Sequence, residues 1–124
     1  MKPMKKEDII KQYEISGEII YRSTLTGDYK ANNKEGAKLV RIFKKFEEDE
    51  TFAMECIGEL LKSDNIVVRT EAAAYCLALN KNIAEAEKLL QAISEDPGNG
   101  IFGFNAKMTL KVWREQGFLK IYQK

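Results

Sequence analysis

The stretch that decides the fold is SDNIVVRTEAAAYCLAL, residues 63–79, in the middle of the 124-residue chain. Its apolar side chains recur every three or four positions, which is the spacing of one helix face. These positions are Val68, Ala72, Cys76 and Leu79. Ser63 or Asp64 precedes them, and we expect one of the two to cap the helix by accepting hydrogen bonds from its free amides. The stretch therefore predicts a helix, the fourth along the chain.

Before this stretch, the same periodicity predicts three further helices. Helix one covers about residues 7–24 and is followed by a turn. Asp28 is placed to cap helix two, which extends to about Glu48. The acidic run 47–50 favours the start of helix three, because carboxylates are stabilising near a helix N-terminus.

After this stretch, the pattern predicts two helices separated by the strongest loop signal in the chain, DPGNG at 96–100. We expect Asn82 to cap helix five. Helix six is predicted from about residue 101 to Gln116, with Gly117 as its C-terminal cap. No stretch alternates apolar and polar residues for long enough to predict a strand, so the expected fold class is all-α.

A weak internal repeat relates the predicted helices to one another. A shift of 33 positions places apolar residues of helix two on those of helix four; Leu39, Phe43 and Phe46 fall on Ala72, Cys76 and Leu79. Similar shifts relate helix three to helix five and helix four to helix six. We therefore predict one domain, residues 1–124, folded as an α-α superhelix of about three stacked helical hairpins.

Residues 63–79 also resemble the first helix of a HEAT-like repeat, in which a capping aspartate precedes Val-Arg and a run of small residues. We expect Val68 to enter the core and Ala72 and Ala73 to let a neighbouring helix approach closely. Arg69 is expected to pair with a carboxylate of an adjacent helix.

Three stretches carry a wider resemblance: GDYKAN at 27–32, the Val-Arg and alanine positions of helix four, and GFNAKMTL at 103–110 followed by Trp113. With them, nearly the whole chain resembles a bacterial family of unknown function, number two thousand and nineteen in the domain-of-unknown-function series. The resemblance implies an α-α superhelical fold and no established activity. By analogy, it suggests an immunity protein of a bacterial toxin system. Residues 33–35 depart from the family's pattern at the start of helix two.

The composition offers little chemistry for catalysis or metal binding. The chain has no histidine, which is the commonest general base and metal ligand. Cys56 and Cys76 lack further ligands at zinc spacing, and we interpret them as small buried hydrophobic residues. Residues 98–103 match G-x-G-x-x-G, but a predicted helix precedes them instead of the strand of a dinucleotide site, so we interpret them as a loop. We expect no enzyme activity, no metal and no cofactor.

The charge and hydropathy of the chain point to a soluble cytoplasmic protein. The net charge is +1, so no strong field of one sign is present to hold nucleic acid. No window has the roughly 20 apolar residues needed to span a bilayer, and no signal peptide is evident. We expect no membrane association.

A protein-binding module is the function that these observations favour. In HEAT-like hairpins the second helices line the concave surface, and by analogy these are helices three and five. Their expected exposed residues are the candidate partner contacts: Glu55, Glu59, Lys62, Glu85, Lys88 and Gln91. The most concrete form is an immunity protein that blocks a basic toxin domain, to which the acidic run 47–50 is complementary.

Two alternatives from other classes stay open. The first is nucleic-acid binding through a basic face of helix two formed by Lys38, Arg41 and Lys45. The second is a small-ligand protein that uses the 98–103 loop. The aromatic residues near the C-terminus are expected to pack in the core, although those after helix six either cap the last hairpin or contact a partner. The residues concerned are Phe102, Phe104, Trp113, Phe118 and Tyr122.

Overall fold

A computed structural model describes residues 4–122 as an all-helical protein. It contains six α-helices: α1 (Lys6–Thr26), α2 (Tyr29–Glu48), α3 (Glu50–Leu60), α4 (Ile66–Leu79), α5 (Ile83–Glu95) and α6 (Ile101–Gln116). A short 3₁₀ turn, Pro97–Asn99, precedes α6. No strand occurs in the part of the chain that the structure describes. The six predicted helices and the all-α fold class are confirmed.

Packing divides the chain into two compact units, Met1–Arg69 and Thr70–Lys124, with the boundary inside α4. In the first unit α1, α2 and α3 each contact the other two. In the second unit α5 and α6 form a helical hairpin that also contacts the 3₁₀ turn. The single domain and the stacking of hairpins into a superhelix stay predictions.

The core of the first unit is organised around one aromatic residue, Phe46 of α2. Its ring is fully buried and stacks on Tyr13 of α1, with 6.5 Å between ring centroids. Phe52 of α3 meets the same ring in an edge arrangement, also at 6.5 Å. Buried aromatic pairs of this kind add to the hydrophobic free energy of burial. Phe46 therefore joins three helices.

Most of the predicted helix ends are present. The Asp28 carboxylate accepts a hydrogen bond from the Ala31 amide at 3.1 Å and so caps α2, as predicted. Gly117 ends α6 in the left-handed conformation, with φ 81°, and its amide donates to the Trp113 carbonyl at 2.8 Å. Asn82 holds the expected position before α5, but its side chain makes no capping hydrogen bond.

The prediction that Ser63 or Asp64 caps α4 is wrong. The helix begins at Ile66, so Asn65 occupies the capping position, and its Oδ1 accepts from the Val67 amide at 2.8 Å. Ser63 instead stabilises the turn that precedes the helix, because its Oγ accepts a hydrogen bond from the Asn65 amide at 3.1 Å. Cap identity depends on the first helical residue, which the sequence places only to within one or two positions.

The predictions for the body of α4 have mixed outcomes. Val68, Ala72 and Ala73 are buried, as expected. Arg69 does not pair with a carboxylate of an adjacent helix. Its Nη1 donates to the Ser63 carbonyl at 2.8 Å, because the side chain folds back over the turn that precedes α4.

The start of α4 lies very close to α1 at Gly17. A Cβ atom at this glycine would lie 2.5 Å from Cγ2 of Val68 and 3.3 Å from the side chain of Asn65. The space left by the missing side chain of Gly17 is therefore occupied by Val68, a core residue, and by Asn65, the residue that caps α4. Only a residue without a side chain fits between them.

We expect Gly17→Ala to lower the free energy of unfolding by about 1–3 kcal/mol, because the added methyl group overpacks the contact with Val68. Urea denaturation followed by circular dichroism measures the change. Gly36→Ala is the matched control, since a Cβ at that helical position meets nothing within 4 Å. The control is expected to gain about 0.5–1 kcal/mol from its higher helix propensity. Equal stability of Gly17→Ala and the wild type would contradict the packing argument.

Candidate functional site

The six residues predicted to contact a partner divide between the two units. Three lie on or just after α3 and are exposed: Glu55, Glu59 and Lys62. Three lie on α5: Glu85, Lys88 and Gln91. Of the second group, Glu85 and Lys88 are exposed and Gln91 is half-buried. Glu59 forms an ion pair with Lys6, with 3.0 Å between Nζ and Oε1. A common surface formed by both groups stays a prediction.

The basic face predicted on α2 is partly neutralised by carboxylates of the same helix. Lys38 Nζ lies 3.0 Å from Glu35 Oε2, and Lys45 Nζ lies 3.7 Å from Glu48 Oε2. Arg41 is exposed. Since phosphate contacts dominate nucleic-acid affinity, these ion pairs weaken the case for this face as a nucleic-acid site.

The glycine-rich loop at 98–103 is closed by its own hydrogen bonds. The Asp96 carboxylate accepts from the Gly98 amide at 2.9 Å, and the Asn99 side chain donates to the Ile93 carbonyl at the same distance. Gly103 belongs to α6 and is buried, where a Cβ atom would lie 3.1 Å from the Ile93 carbonyl oxygen. The loop therefore joins two helices, and its last glycine allows those helices to approach.

The two cysteines are free thiols in the core. Cys56 and Cys76 are fully buried, and burial raises the pKa of each to about 11. Because the thiolate is the nucleophilic form, neither thiol is activated for chemistry. Within residues 4–122 no group of three or more His, Cys, Asp or Glu side chains is placed to hold a metal ion. No helix in that range is both long and apolar enough to cross a bilayer.

An apolar stripe runs along the outside of α6, and it is the main feature that sequence analysis missed. Its members recur at helical spacing: Ile101, Phe104, Met108 and Val112. Their side chains are 49%, 59%, 37% and 38% exposed. Residues three and four apart on a helix are neighbours on its surface, so the four form one continuous ridge. We call it the α6 stripe.

The stripe exists because α6 carries apolar residues on two faces. The inner face is buried and consists of Phe102, Gly103, Ala106 and Leu110. Phe104 lies two positions after Phe102, and two helical steps turn a side chain to the opposite side. The expectation that Phe104 packs in the core is therefore wrong.

The other C-terminal aromatic residues differ in burial. Phe102 is buried and Trp113 is half-buried. Phe118 is 50% exposed, and the Lys120 ammonium lies 5.9 Å from its ring centroid. Half of Phe118 is covered and half meets solvent, so a cap over the last hairpin and a contact with a partner both stay predictions for this residue. Tyr122 is half-buried.

Basic residues line one flank of the α6 stripe. Lys107, Lys111 and Arg114 follow one another at spacings of four and three, which places them along one side of the ridge. We call them the basic flank. The opposite flank is uncharged, with Asn105 and Thr109. The stripe therefore has one charged edge and one neutral edge.

An open cleft of about 530 Å³ separates the basic flank from α5. It is lined by Gln91, Ser94, Glu95, Lys107, Leu110, Lys111, Arg114 and Glu115. Arg114 spans its wall, with Nη2 3.4 Å from Glu87 Oε2 and 3.5 Å from Gln91 Oε1. Among the residues that the structure describes, Lys107 and Lys111 form no ion pair.

Glu35 of α2 is a buried carboxylate whose hydrogen-bond partners lie on two helices. It is 3% exposed; Oε1 accepts from the Ser16 hydroxyl of α1 at 2.9 Å, and Lys38 donates to Oε2 at 3.0 Å. Gln12 in turn donates to Ser16 at 2.7 Å. Burial alone would raise the pKa of Glu35, but the hydrogen bonds from Lys38 and Ser16 and the nearby positive charges outweigh it, so the pKa lies below its usual value.

The Glu35 network is structural rather than catalytic in its geometry. Its carboxylate is 3% exposed and is hydrogen-bonded between α1 and α2, so it is not open to a substrate. The start of α2 at Tyr29 places Glu35 within the helix, and its side chain faces inward.

Residues 4–122 therefore form an all-helical protein with an exposed apolar ridge on α6. Comparisons of the chain with protein-family models, curated proteins and solved structures gave no match. The resemblance to the family of unknown function therefore stays a prediction, and functional inference rests on the geometry of the chain itself.

We expect Glu35→Gln to lower the free energy of unfolding at pH 7 by about 1–2 kcal/mol, because hydrogen bonds to a charged acceptor are stronger than those to an amide. The folded-state pKa is depressed, so this contribution is full above the usual value of 4.5 and is lost as the pH falls through the folded pKa. The difference in unfolding free energy between wild type and variant should therefore become smaller as the pH falls. Urea titrations across this pH range measure it.

Glu18→Gln is the control for this experiment, because Glu18 makes a surface ion pair with Arg22 at 2.9 Å. An exposed pair of this kind contributes less than about 0.5 kcal/mol. A difference between Glu35→Gln and the wild type that does not change with pH would contradict the role of the Glu35 charge.

Proposed function

We propose that this protein is a non-catalytic protein-binding module that contacts its partner through the α6 stripe. The observation that carries the proposal is the alignment of four large apolar side chains on one exposed helix face. Contiguous exposed apolar surface is unfavourable in water and is typical of interaction sites. Phenylalanine and methionine, which occupy the middle of the stripe, are enriched at the centres of protein interfaces.

The stripe differs from the other exposed apolar residues of the chain. On α1, Ile15, Tyr21 and Leu25 are 48%, 36% and 61% exposed, and only Tyr21 and Leu25 of the three lie one turn apart. Tyr29, at the start of α2, is 68% exposed. Isolated residues of this kind are normal on protein surfaces. Covering the exposed part of each stripe residue contributes roughly 1 kcal/mol, so four together supply a few kcal/mol to an interface.

An immunity protein that blocks a toxin domain is the most specific form of the proposal. It is supported by the resemblance described above, since one of the resembling stretches, residues 103–110, contains Phe104 and Met108 of the stripe. The acidic run 47–50 gives this form less support, because Asp49 caps α3 and Glu48 pairs with Lys45. A cytoplasmic location belongs to the same proposal and is supported by the two free thiols.

We expect the double variant Phe104→Ser with Met108→Ser to lose its partner. Wild type and variant are immobilised and exposed to native host lysate at low and moderate salt, and captured proteins are quantified by mass spectrometry. One stoichiometric protein should survive moderate salt on the wild type and fall at least about tenfold on the variant, because central apolar residues dominate binding free energy.

Leu25→Ser with Tyr29→Ser is the matched control, because it removes two exposed apolar side chains outside the stripe. It should capture the partner as the wild type does, and thermal melts should show all three proteins folded. Equal capture by the stripe variant would place the interface elsewhere. Recovery of nucleic acid alone, lost at moderate salt, would overturn the proposal in favour of the basic face of α2.

A further inference from the structure

We infer that the partner segment seated on the α6 stripe is an amphipathic α-helix whose flank carries acidic side chains facing Lys107 and Lys111. The inference rests on the proposed function and specifies the chemistry of the partner. Three observations support it: the shape of the stripe, the one-sided charge beside it, and the cleft that follows the charged edge.

The shape of the stripe fits a helix. From Ile101 to Val112 it extends about 16 Å at the helical rise of 1.5 Å per residue, which equals about three turns. The four side chains form a ridge along one face of α6. Such ridges pack into the grooves between side-chain rows of another helix.

Two other peptide conformations fit the second unit less well. An extended strand binds by pairing with the edge of a sheet, and no strand is present in residues 4–122. A polyproline segment binds in grooves lined by several aromatic rings, and Phe104 is the sole aromatic residue of the stripe.

The charge beside the stripe selects an acidic partner. Lys107 and Lys111 lie one turn apart and form no ion pair among the described residues, whereas Arg114 is held by Glu87 and Gln91. Both lysines border the open cleft against α5, which gives room for side chains that reach past the ridge. Glu95 and Glu115 line the same cleft, so the acidic side chains of the partner are expected on the stripe side of it, where they can pair with the exposed Lys107 and Lys111.

The same asymmetry disfavours two other occupants. A second copy packed antiparallel on the stripe would face its own basic flank, since two-fold symmetry brings identical edges of the two helices to the same side. A membrane surface would contact both edges of a half-immersed helix, and helices of that kind carry cations along their polar face. Here one edge is uncharged, with Asn105 and Thr109.

Two synthetic peptides test the inference on the full chain. Each is a stapled helix of about 18 residues, or five turns, with leucine at every third or fourth position. One carries glutamate on both flanks and the other carries lysine at the same positions. Affinity is measured by fluorescence anisotropy at low and moderate salt, and nuclear magnetic resonance shifts identify the residues contacted.

The glutamate peptide should bind at least about tenfold more tightly than the lysine peptide and shift the signals of α6. Lys107→Glu with Lys111→Glu should reverse the preference, which a purely structural role of the lysines would not produce. Lys30→Glu with Lys34→Glu is the matched control, because these lysines also lie one turn apart and exposed, on α2. The control should keep the wild-type preference.

Several results would overturn the inference. Equal affinity for both peptides, or no effect of the lysine reversal, would remove the role of charge. Stripe-dependent binding to vesicles of phosphatidylcholine with about one-third phosphatidylserine, without peptide binding, would assign the stripe to a membrane surface. A dimer in sedimentation that Phe104→Ser with Met108→Ser dissociates would assign it to a second copy. If the lysate yields a protein whose capture requires the stripe but neither peptide binds, the proposed function is retained. The inference that the partner segment is an acidic helix is then rejected.

Discussion

The contact between α6 and α5 at Gly103 is the constraint on which the exposed α6 stripe depends. The α6 backbone comes so close to the Ile93 carbonyl that a Cβ atom would lie 3.1 Å from its oxygen. Ala106, one turn later, is also buried, so small residues form the middle of this contact. Because close packing fixes the rotation of α6 about its axis, it also fixes which residues face solvent. The stripe is the face of α6 that points away from α5 once this contact is made.

The two units use small residues at helix contacts in the same way but leave different surfaces. In the first unit, Gly17 admits Val68 and the cap of α4, and the buried network around Glu35 joins α1 to α2. That unit encloses its polar group and satisfies it with hydrogen bonds, as stability requires. In the second unit, the helical hairpin buries one face of α6 and leaves the apolar opposite face in water, which stability alone does not require.

Local signals made the helices predictable, whereas tertiary contacts decided the site. Asp28 and Gly117 act within a few residues of their own positions, so the sequence locates them well. Phe102 and Phe104 are alike in type, and periodicity cannot say which one faces the core when a helix is apolar on both sides. From sequence alone Glu35 would be assigned to the solvated face of α2, and only its contact with α1 shows that it is buried. The exposure of Glu55, Glu59, Glu85 and Lys88 followed from periodicity, but the apolar surface on α6 did not.

The two cysteines can serve as built-in chemical probes of local unfolding, because each of the two units contains one buried thiol. Each unit contains one thiol, Cys56 in the first and Cys76 in the second, and both are fully buried with a pKa of about 11. An alkylating reagent reaches such a thiol only when its surroundings open, so the labelling rate follows the opening free energy. Resolving the two labelled peptides would compare the opening of both units in one unmodified protein. Equal opening free energies are expected if the two units open in one cooperative step, and unequal values would show which unit opens more readily.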